Sequence, residues 1–471
     1  MAQAFNYADD YQKLSNWPEI YKFTLLCVLW LVFIFGFTWA VCFAVGVALP
    51  WIIYQMAPNT PAMVGEIFHA SIPILAVLVF IPFNAMLMVL MERRALALFT
   101  VRRGPCRVGP DGALQTAADA IKLLLKEDIT PTGADAVMFT AAPVIFFAPS
   151  IFAAVPLLAA ATNNNAFFQV VNLPTGIFYV LAAASVPVVG IVMGGWASNN
   201  KYSLVGGLRS AAQAISYEIP LVLSLISICV LNKTLDVVKI AQIQSGGILH
   251  WNILGGGTLG LVYRAMKGDP ASQQILHSSL GYQGDGVALV AALLLTVCTI
   301  IMFGMYLTGA CAEINRIPFD LPEAESELVS GYNTEYSGIK FAIFFLAEFT
   351  NLFVVATIAS VMFLGGGDFI LPSRYFAPLA DGFNSVIRPL IDIHFINPDT
   401  FWAAIWLIVK VYLLVFFAIL IRGTLPRFRI DQLMDFGWKR LIPITLAVFM
   451  LMVFLKVLVA TPVGASAVLP Q

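Results

Sequence analysis

Charge is scarce in this chain. Only 11% of its 471 residues are Asp, Glu, Lys or Arg, while 60% are hydrophobic. A soluble domain carries roughly twice that charged fraction. No charged residue falls between Lys22 and Glu66, and none between Asp135 and Lys201. Runs of that length exclude a soluble core and require helices in lipid, which satisfy their own backbone polar groups. Cysteine is also sparse: Cys27, Cys42, Cys106, Cys229, Cys298 and Cys311 are scattered, with no CxxC or other ligand spacing. That excludes a disulfide framework and argues against an iron–sulfur site. Of the histidines, His69, His250, His277 and His394, none is expected mid-helix, which excludes paired axial haem ligands. The chain is therefore expected to hold no redox centre and no metal of its own. The first apolar run lacks a preceding basic region and a following small-residue cleavage site, so it reads as an anchor, not a signal peptide.

What is present is nine apolar runs, at roughly 24–49, 68–91, 137–160, 176–196, 209–231, 287–311, 338–364, 401–421 and 440–460. Each is long enough to cross a bilayer. The fold class is an all-α polytopic membrane protein of about nine transmembrane helices. Basic residues set the orientation. Arg93, Arg94, Arg102, Arg103, Arg107, Lys122 and Lys126 share one side with Lys201, Arg209, Arg316, Lys340, Arg422, Arg427, Arg429, Lys439 and Arg440. The opposite loops hold only Lys233, Lys239, Arg264, Lys267, Arg374 and Arg388. The richer side is inside, with the N-terminus.

Two acids sit within these runs. Glu218 and Glu348 each lie about ten residues from an inside loop, roughly 15 Å deep at a rise of ~1.5 Å per residue. Holding a carboxylate at that depth costs at least a few kcal/mol, which marks both as functional candidates. Lys410, about 16 Å from the inner end of its run, is a candidate partner for one of them or a lysine facing a neighbouring chain. The inside loops carry further chemistry. Over 113–126, Leu114, Ala117, Ala118, Ile121, Leu124 and Leu125 fall on one helical face, and Gln115, Asp119, Lys122 and Lys126 on the other. This reads as an amphipathic helix at the membrane surface. Asp320-Leu321-Pro322-Glu323 has the form of a capped helix start, leading into Glu323, Glu325 and Glu327 and then Glu335. No Lys or Arg lies between Arg316 and Lys340. With Glu313 at the mouth of one run and Glu348 inside the next, this acidic loop reads as a polar route into the membrane. The Gly-rich segment 232–286 is placed outside, with Leu235–Ile240 as its one helix-like piece and His250 and His277 as ordinary loop residues.

Several inside motifs are recognisable. Glu92-Arg93-Arg94, Arg103-Gly104-Pro105, Val108-Gly109-Pro110 and Ala118-Asp119-Ala120-Ile121-Lys122-Leu123-Leu124 come first. Gly194-Gly195-Trp196-Ala197-Ser198-Asn199-Asn200-Lys201-Tyr202 and Ala212-Gln213-Ala214-Ile215-Ser216-Tyr217-Glu218 follow. The most specific block runs from Ala312-Glu313-Ile314-Asn315-Arg316-Ile317-Pro318-Phe319-Asp320-Leu321-Pro322-Glu323 on to Glu335-Tyr336-Ser337-Gly338. Together they resemble the H-type membrane subunits of bacterial NADH:quinone oxidoreductase, a family whose mitochondrial counterpart is subunit 1 of respiratory complex I. The resemblance covers roughly 66–460, leaving 1–65 as an N-terminal extension with an extra span beyond the eight family helices, 232–286 as an outer insertion and 461–471 as a tail.

The resemblance implies a hinge subunit between an electron-carrying peripheral arm and a membrane arm, in a proton-translocating enzyme of the bacterial inner membrane. Quinone would be the substrate, with FMN and iron–sulfur clusters in partner subunits and no nucleic-acid partner. It implies a proton relay of Glu218, Glu313, Glu348 and Glu127, and a quinone chamber lined or supported by Arg93, Arg316, Phe319, Asp320, Glu323, Glu325 and Glu327. The alternatives are the related membrane subunit of an energy-converting hydrogenase, and a stand-alone proton-coupled transporter. The Asn315–Pro322 block favours the quinone enzyme over the first, and the lack of inverted-repeat symmetry disfavours the second.

Overall fold

The computed structural model describes residues 19–45, 62–102, 104–161, 173–258, 260, 285–321, 328–369 and 398–459. Within them the apolar runs become helices, and nine are long and apolar enough to cross a membrane. In chain order the helices are α1 (Glu19–Phe43), α2 (Ala62–Phe99), α3 (Gln115–Leu125), α4 (Ala136–Ala161), α5 (Gly176–Ser185), α6 (Pro187–Ala197) and α7 (Lys201–Asn232). They continue as α8 (Val237–Ile243), α9 (Asp285–Glu313), α10 (Gly338–Phe363), α11 (Pro398–Thr424), α12 (Ile430–Asp435) and α13 (Ile442–Val459).

Several boundaries differ from the sequence reading, three of them for an evident physical reason. Helix α7 begins at Lys201 because Asn200 caps it, its side chain accepting from the Tyr202 N–H at 3.0 Å. Its 32 residues span about 48 Å, well beyond the ~30 Å hydrocarbon layer, so its basic inner end continues as helix past the lipid. The fourth span is two helices, α5 and α6, because Pro187 cannot donate to the carbonyl one turn back and instead opens α6 at its first position. The last span runs from Ile430 through α12 and a π-helical turn, Phe436–Leu441, into α13. Asp431 and Asp435 thus lie on a helix. Helix α2 starts earlier than its apolar run and includes His69, which corrects the expectation that no histidine lies within a helix.

Helices α4, α6 and α10 pack together, as do α7, α9 and α13. Helix α1 lies against α2, with Leu26, Trp30 and Ile34 buried and Phe33 and Phe37 both edge-on to Phe83. The Trp30 indole N–H also donates to the Ala113 carbonyl at 3.2 Å, so α1 is tied to the start of the surface helix.

The segment after α7 is a buried polar cap, not an open loop. Asp236 caps α8 by accepting from the N–H groups of Val238 and Lys239. Gln244, fully buried, donates to the Val361 carbonyl and accepts from Gly365 N–H and Asn252 N–H. Asn252 donates to the Met362 carbonyl at 2.7 Å. The Gln244 and Asn252 contacts close the C-terminal end of α10. Lys410 completes the closure. Its ammonium donates to the carbonyls of Leu364, Gly366 and Asp368 at 2.6, 2.9 and 2.6 Å and lies 4.2 Å from the Trp251 ring. It pairs with neither intramembrane glutamate, which corrects the first sequence reading, and its contacts are within this chain, which corrects the second. A cation suits this place because carbonyls at a helix C-terminus carry partial negative charge.

Lys410→Met leaves those carbonyls without their donor. Because a hydrogen bond to a charged group contributes about 1.5–3 kcal/mol, the thermal midpoint of the variant is expected to fall by several degrees. A midpoint equal to that of the unsubstituted protein would remove Lys410 from this role.

Candidate functional site

Glu313 is the last residue of α9, and Glu348 lies ten residues into α10, fewer than three turns from its inner end. Both line a single cavity of about 40 Å³ between α4, α5, α6, α7, α9 and α10. Its polar lining is Ser150, Glu313, Asn315, Glu348 and Asn351, set in a wall of Phe146, Ile191, Leu221, Ile358 and other apolar side chains. At roughly 10–15 Å³ per water, the space suits a short file of about three.

Each polar group has a distinct source. The Tyr332 hydroxyl donates to Glu348 Oε1 at 2.7 Å. Asn351 is three residues beyond Glu348, hence on the same face of α10, and accepts from Ser150 Oγ at 2.5 Å. Ser150 follows Pro149 in α4, one of three prolines in that helix. Asn315 donates to Ser210 Oγ at 3.0 Å. Its Oδ1 is buried without a partner among the described residues, leaving an acceptor beside the cavity.

Glu218 does not line the cavity. It lies half-buried on α7 between Ala214 and Leu221, both of which do. Its carboxylate is near enough to Glu313 for their charges to interact. The two helices meet at Gly309 of α9, where an added Cβ would sit in ordinary contact, 3.4 Å from both Leu221 and the Tyr217 carbonyl. Three of the four relay candidates are thus brought together. The fourth, Glu127, is exposed just beyond α3; its carbonyl accepts from Ser337 Oγ at 3.3 Å.

The chamber candidates fall around the inner ends of the helices. Arg316 is buried, with Nη1 at 3.0 and 3.2 Å from the two Glu92 oxygens and its guanidinium 4.3 Å from the Phe349 ring centre. Arg422 of α11 pairs with the same glutamate. Phe319 is core, packed between Tyr217 and Phe428, and its carbonyl accepts from Gln213 at 2.7 Å. Asp320 pairs with Arg427 at 3.0 Å. Arg93 joins α2 to the surface helix through Asp119 at 2.5 Å, while Ile121, Leu124 and Leu125 of α3 stand exposed, as in a helix whose apolar face meets lipid. Glu323, Glu325 and Glu327 lie outside the described residues, as does Arg103.

Near the inner mouth, Tyr336 stacks on Phe139 with centroids 4.1 Å apart, and burial pushes its phenol above the ordinary range. Lys340 reaches Asp128 at 3.0 Å, fixing the 127–129 segment against the start of α10.

Sequence reading passed over Tyr332, Ser150, Asn351 and Glu92 as site residues. Asn351 was within reach of it, as an amide one turn from an intramembrane acid. Ser150 and Tyr332 are ordinary in sequence and acquire their place only when three helices converge.

A family model described as NADH dehydrogenase matches residues 72–453. An H-type NADH-quinone oxidoreductase subunit from Phocaeicola vulgatus is 39% identical over 375 residues, which cover 79% of this chain and 87% of that protein. The match covers all or nearly all of every described span except the N-terminal one, Tyr21–Cys42.

Proposed function

The chain belongs to the NADH dehydrogenase family of membrane subunits, and from that membership we propose that it couples quinone reduction to proton translocation in an NADH:quinone oxidoreductase. Residues 66–460 form the family domain, with 1–65 contributing an additional span and 232–286 an outer insertion. The host membrane is the bacterial inner membrane. Electrons reach quinone from flavin and iron–sulfur clusters in partner subunits of the peripheral arm, and the membrane-arm subunits receive the coupled protons.

Reducing one quinone to quinol consumes two electrons and two protons. The acids Glu323, Glu325 and Glu327 serve the quinone reaction, in a chamber whose walls are held by Arg93, Arg316, Phe319 and Asp320. Proton demand there is met from the carboxylates behind it. Glu313, at the inner end of α9, exchanges protons with Glu348 across the cavity water, and Glu218 responds to the charge on Glu313. Glu127 serves at the surface, where protons enter. Acids in a low-dielectric setting couple strongly, so a charge change at one alters the proton occupancy of the next. The observation that carries this reading is that two carboxylates from different transmembrane helices line one small, water-sized cavity.

Glu218→Gln tests it. The variant is expected to assemble normally and to oxidise NADH with an artificial acceptor at the unaltered rate, while proton-coupled quinone reduction falls about a hundredfold, the lower end of a proton-transfer group's contribution. Normal pumping by reconstituted Glu218→Gln enzyme would take this residue out of the relay.

A further inference from the structure

Tyr332 lies in a short helical turn, Gly331–Asn333, between the inner-surface loop and α10. Its side chain is fully buried, with the ring edge-on to Phe146 and Phe344 at 6.5 and 5.5 Å. Packing on two sides leaves the phenol little freedom to swing. Its hydroxyl donates to Glu348 Oε1 at 2.7 Å, a short bond to a carboxylate that is itself only 9% exposed. One carboxylate oxygen is thereby fixed, which sets the direction of the other.

The turn that carries Tyr332 is docked on α7. At Gly206 of α7 an added Cβ would sit 2.8 Å from Gly331 Cα and 2.9 Å from the Tyr332 nitrogen. Only a residue without a side chain lets the two backbones meet so closely. Gly331 has φ +58°, a left-handed conformation natural to glycine, and its carbonyl is held by Thr334 Oγ1 at 2.7 Å. A few residues on, Asn200 at the start of α7 donates to Glu335 Oε1 at 2.7 Å. The turn is thus attached to α7 at two points, and α7 is the helix that bears Glu218.

We propose that Tyr332 is a positioning residue: through the Gly206–Gly331 contact it registers the place of α7 and holds the Glu348 carboxyl toward the cavity it shares with Glu313. This rests on the relay reading given above. A shift of α7 relative to α10 moves the turn, and the hydroxyl then carries that shift to Glu348. The hydrogen bond is a direct polar contact between the turn and Glu348, so it is the element to remove.

The test uses the whole enzyme reconstituted in liposomes. Redox-induced infrared difference spectra report the Glu348 carboxyl, its band identified by its loss in Glu348→Gln. Tyr332→Phe is expected to leave NADH oxidation by an artificial acceptor unchanged, to move the Glu348 band, and to lower proton-coupled quinone reduction about tenfold, the lower end for a hydrogen bond to a charged group. Gly206→Ala keeps the hydroxyl but displaces the turn, and is expected to move the same band; it carries the test if Tyr332→Phe fails to accumulate. A band unmoved in both variants overturns the proposal. So does a slower Tyr332→Phe enzyme with the band in place, since the tyrosine would then be packing alone. If Glu348→Gln pumps normally, the relay itself falls and this role with it. If Glu348→Gln is inactive while Tyr332→Phe matches the unsubstituted enzyme in rate and spectrum, the positioning role falls alone.

Discussion

Glu92→Leu is expected to strip the chain from the membrane almost completely. Glu92 is 6% exposed at the inner end of α2 and receives Arg316, from the loop after α9, together with Arg422, from the inner end of α11. One carboxylate therefore joins three elements far apart in sequence. Removing it leaves two guanidiniums close to each other with no anion between them. Breaking a buried pair by deleting one partner costs about 3–5 kcal/mol, a large part of the ~5–15 kcal/mol that holds a typical domain folded. Glu92→Gln keeps an acceptor oxygen and should do less harm. A triple change, Glu92→Leu with Arg316→Met and Arg422→Met, should recover part of the loss, because apolar groups of similar volume often replace a buried ion network without net cost. Immunoblots of membranes and the thermal midpoint of the purified complex report all three. Full accumulation of Glu92→Leu at an unchanged midpoint would show that the inner ends are held by something else.

The same residue shows where sequence reading succeeds and where it stops. Transmembrane helices were legible because charge-free runs have no alternative in lipid, and all nine expected runs have their helix among the described residues. Charge, however, marks where the lipid ends, not where the helix ends, so the start of α7 at Lys201 was set too late, as was the start of the last span at Ile430. Glu218 and Glu348 were legible because an acid in an apolar run is conspicuous. Glu92 was not, since its neighbours Arg93 and Arg94 make it look like part of a solvated charge cluster. Structure separates the three: Glu92 turns inward to Arg316, Arg93 outward to Asp119, and Arg94 to Asp111. Lys410 failed for a different reason. Its depth along α11 was measured correctly, but depth alone does not say that the C-terminal carbonyls of α10 end beside it. Long-range placement of that kind is set by packing and leaves no periodic trace.

Glu313→Gln and Glu348→Gln are each expected to lower proton-coupled quinone reduction about a hundredfold, and the double variant to be no slower than either single one. The magnitude is that of removing a positioned proton donor or acceptor, about 10²–10⁴ in rate. The lack of further loss is the sharper part. If the two carboxylates exchange a proton through the few waters their shared cavity admits, each is useless without the other, and deleting the second removes nothing more. Independent routes would instead multiply, since effects at uncoupled sites add in free energy. Glutamine keeps the volume and much of the hydrogen bonding, so Tyr332 can still donate to the side chain at 348 and the Ser150–Asn351 bond is undisturbed. Assembly should be normal, as checked by NADH oxidation with an artificial acceptor. Proton uptake per quinone in liposomes then decides the matter. A double variant about ten thousandfold slower would mean that Glu313 and Glu348 serve separate paths and that the cavity between them is only a packing defect.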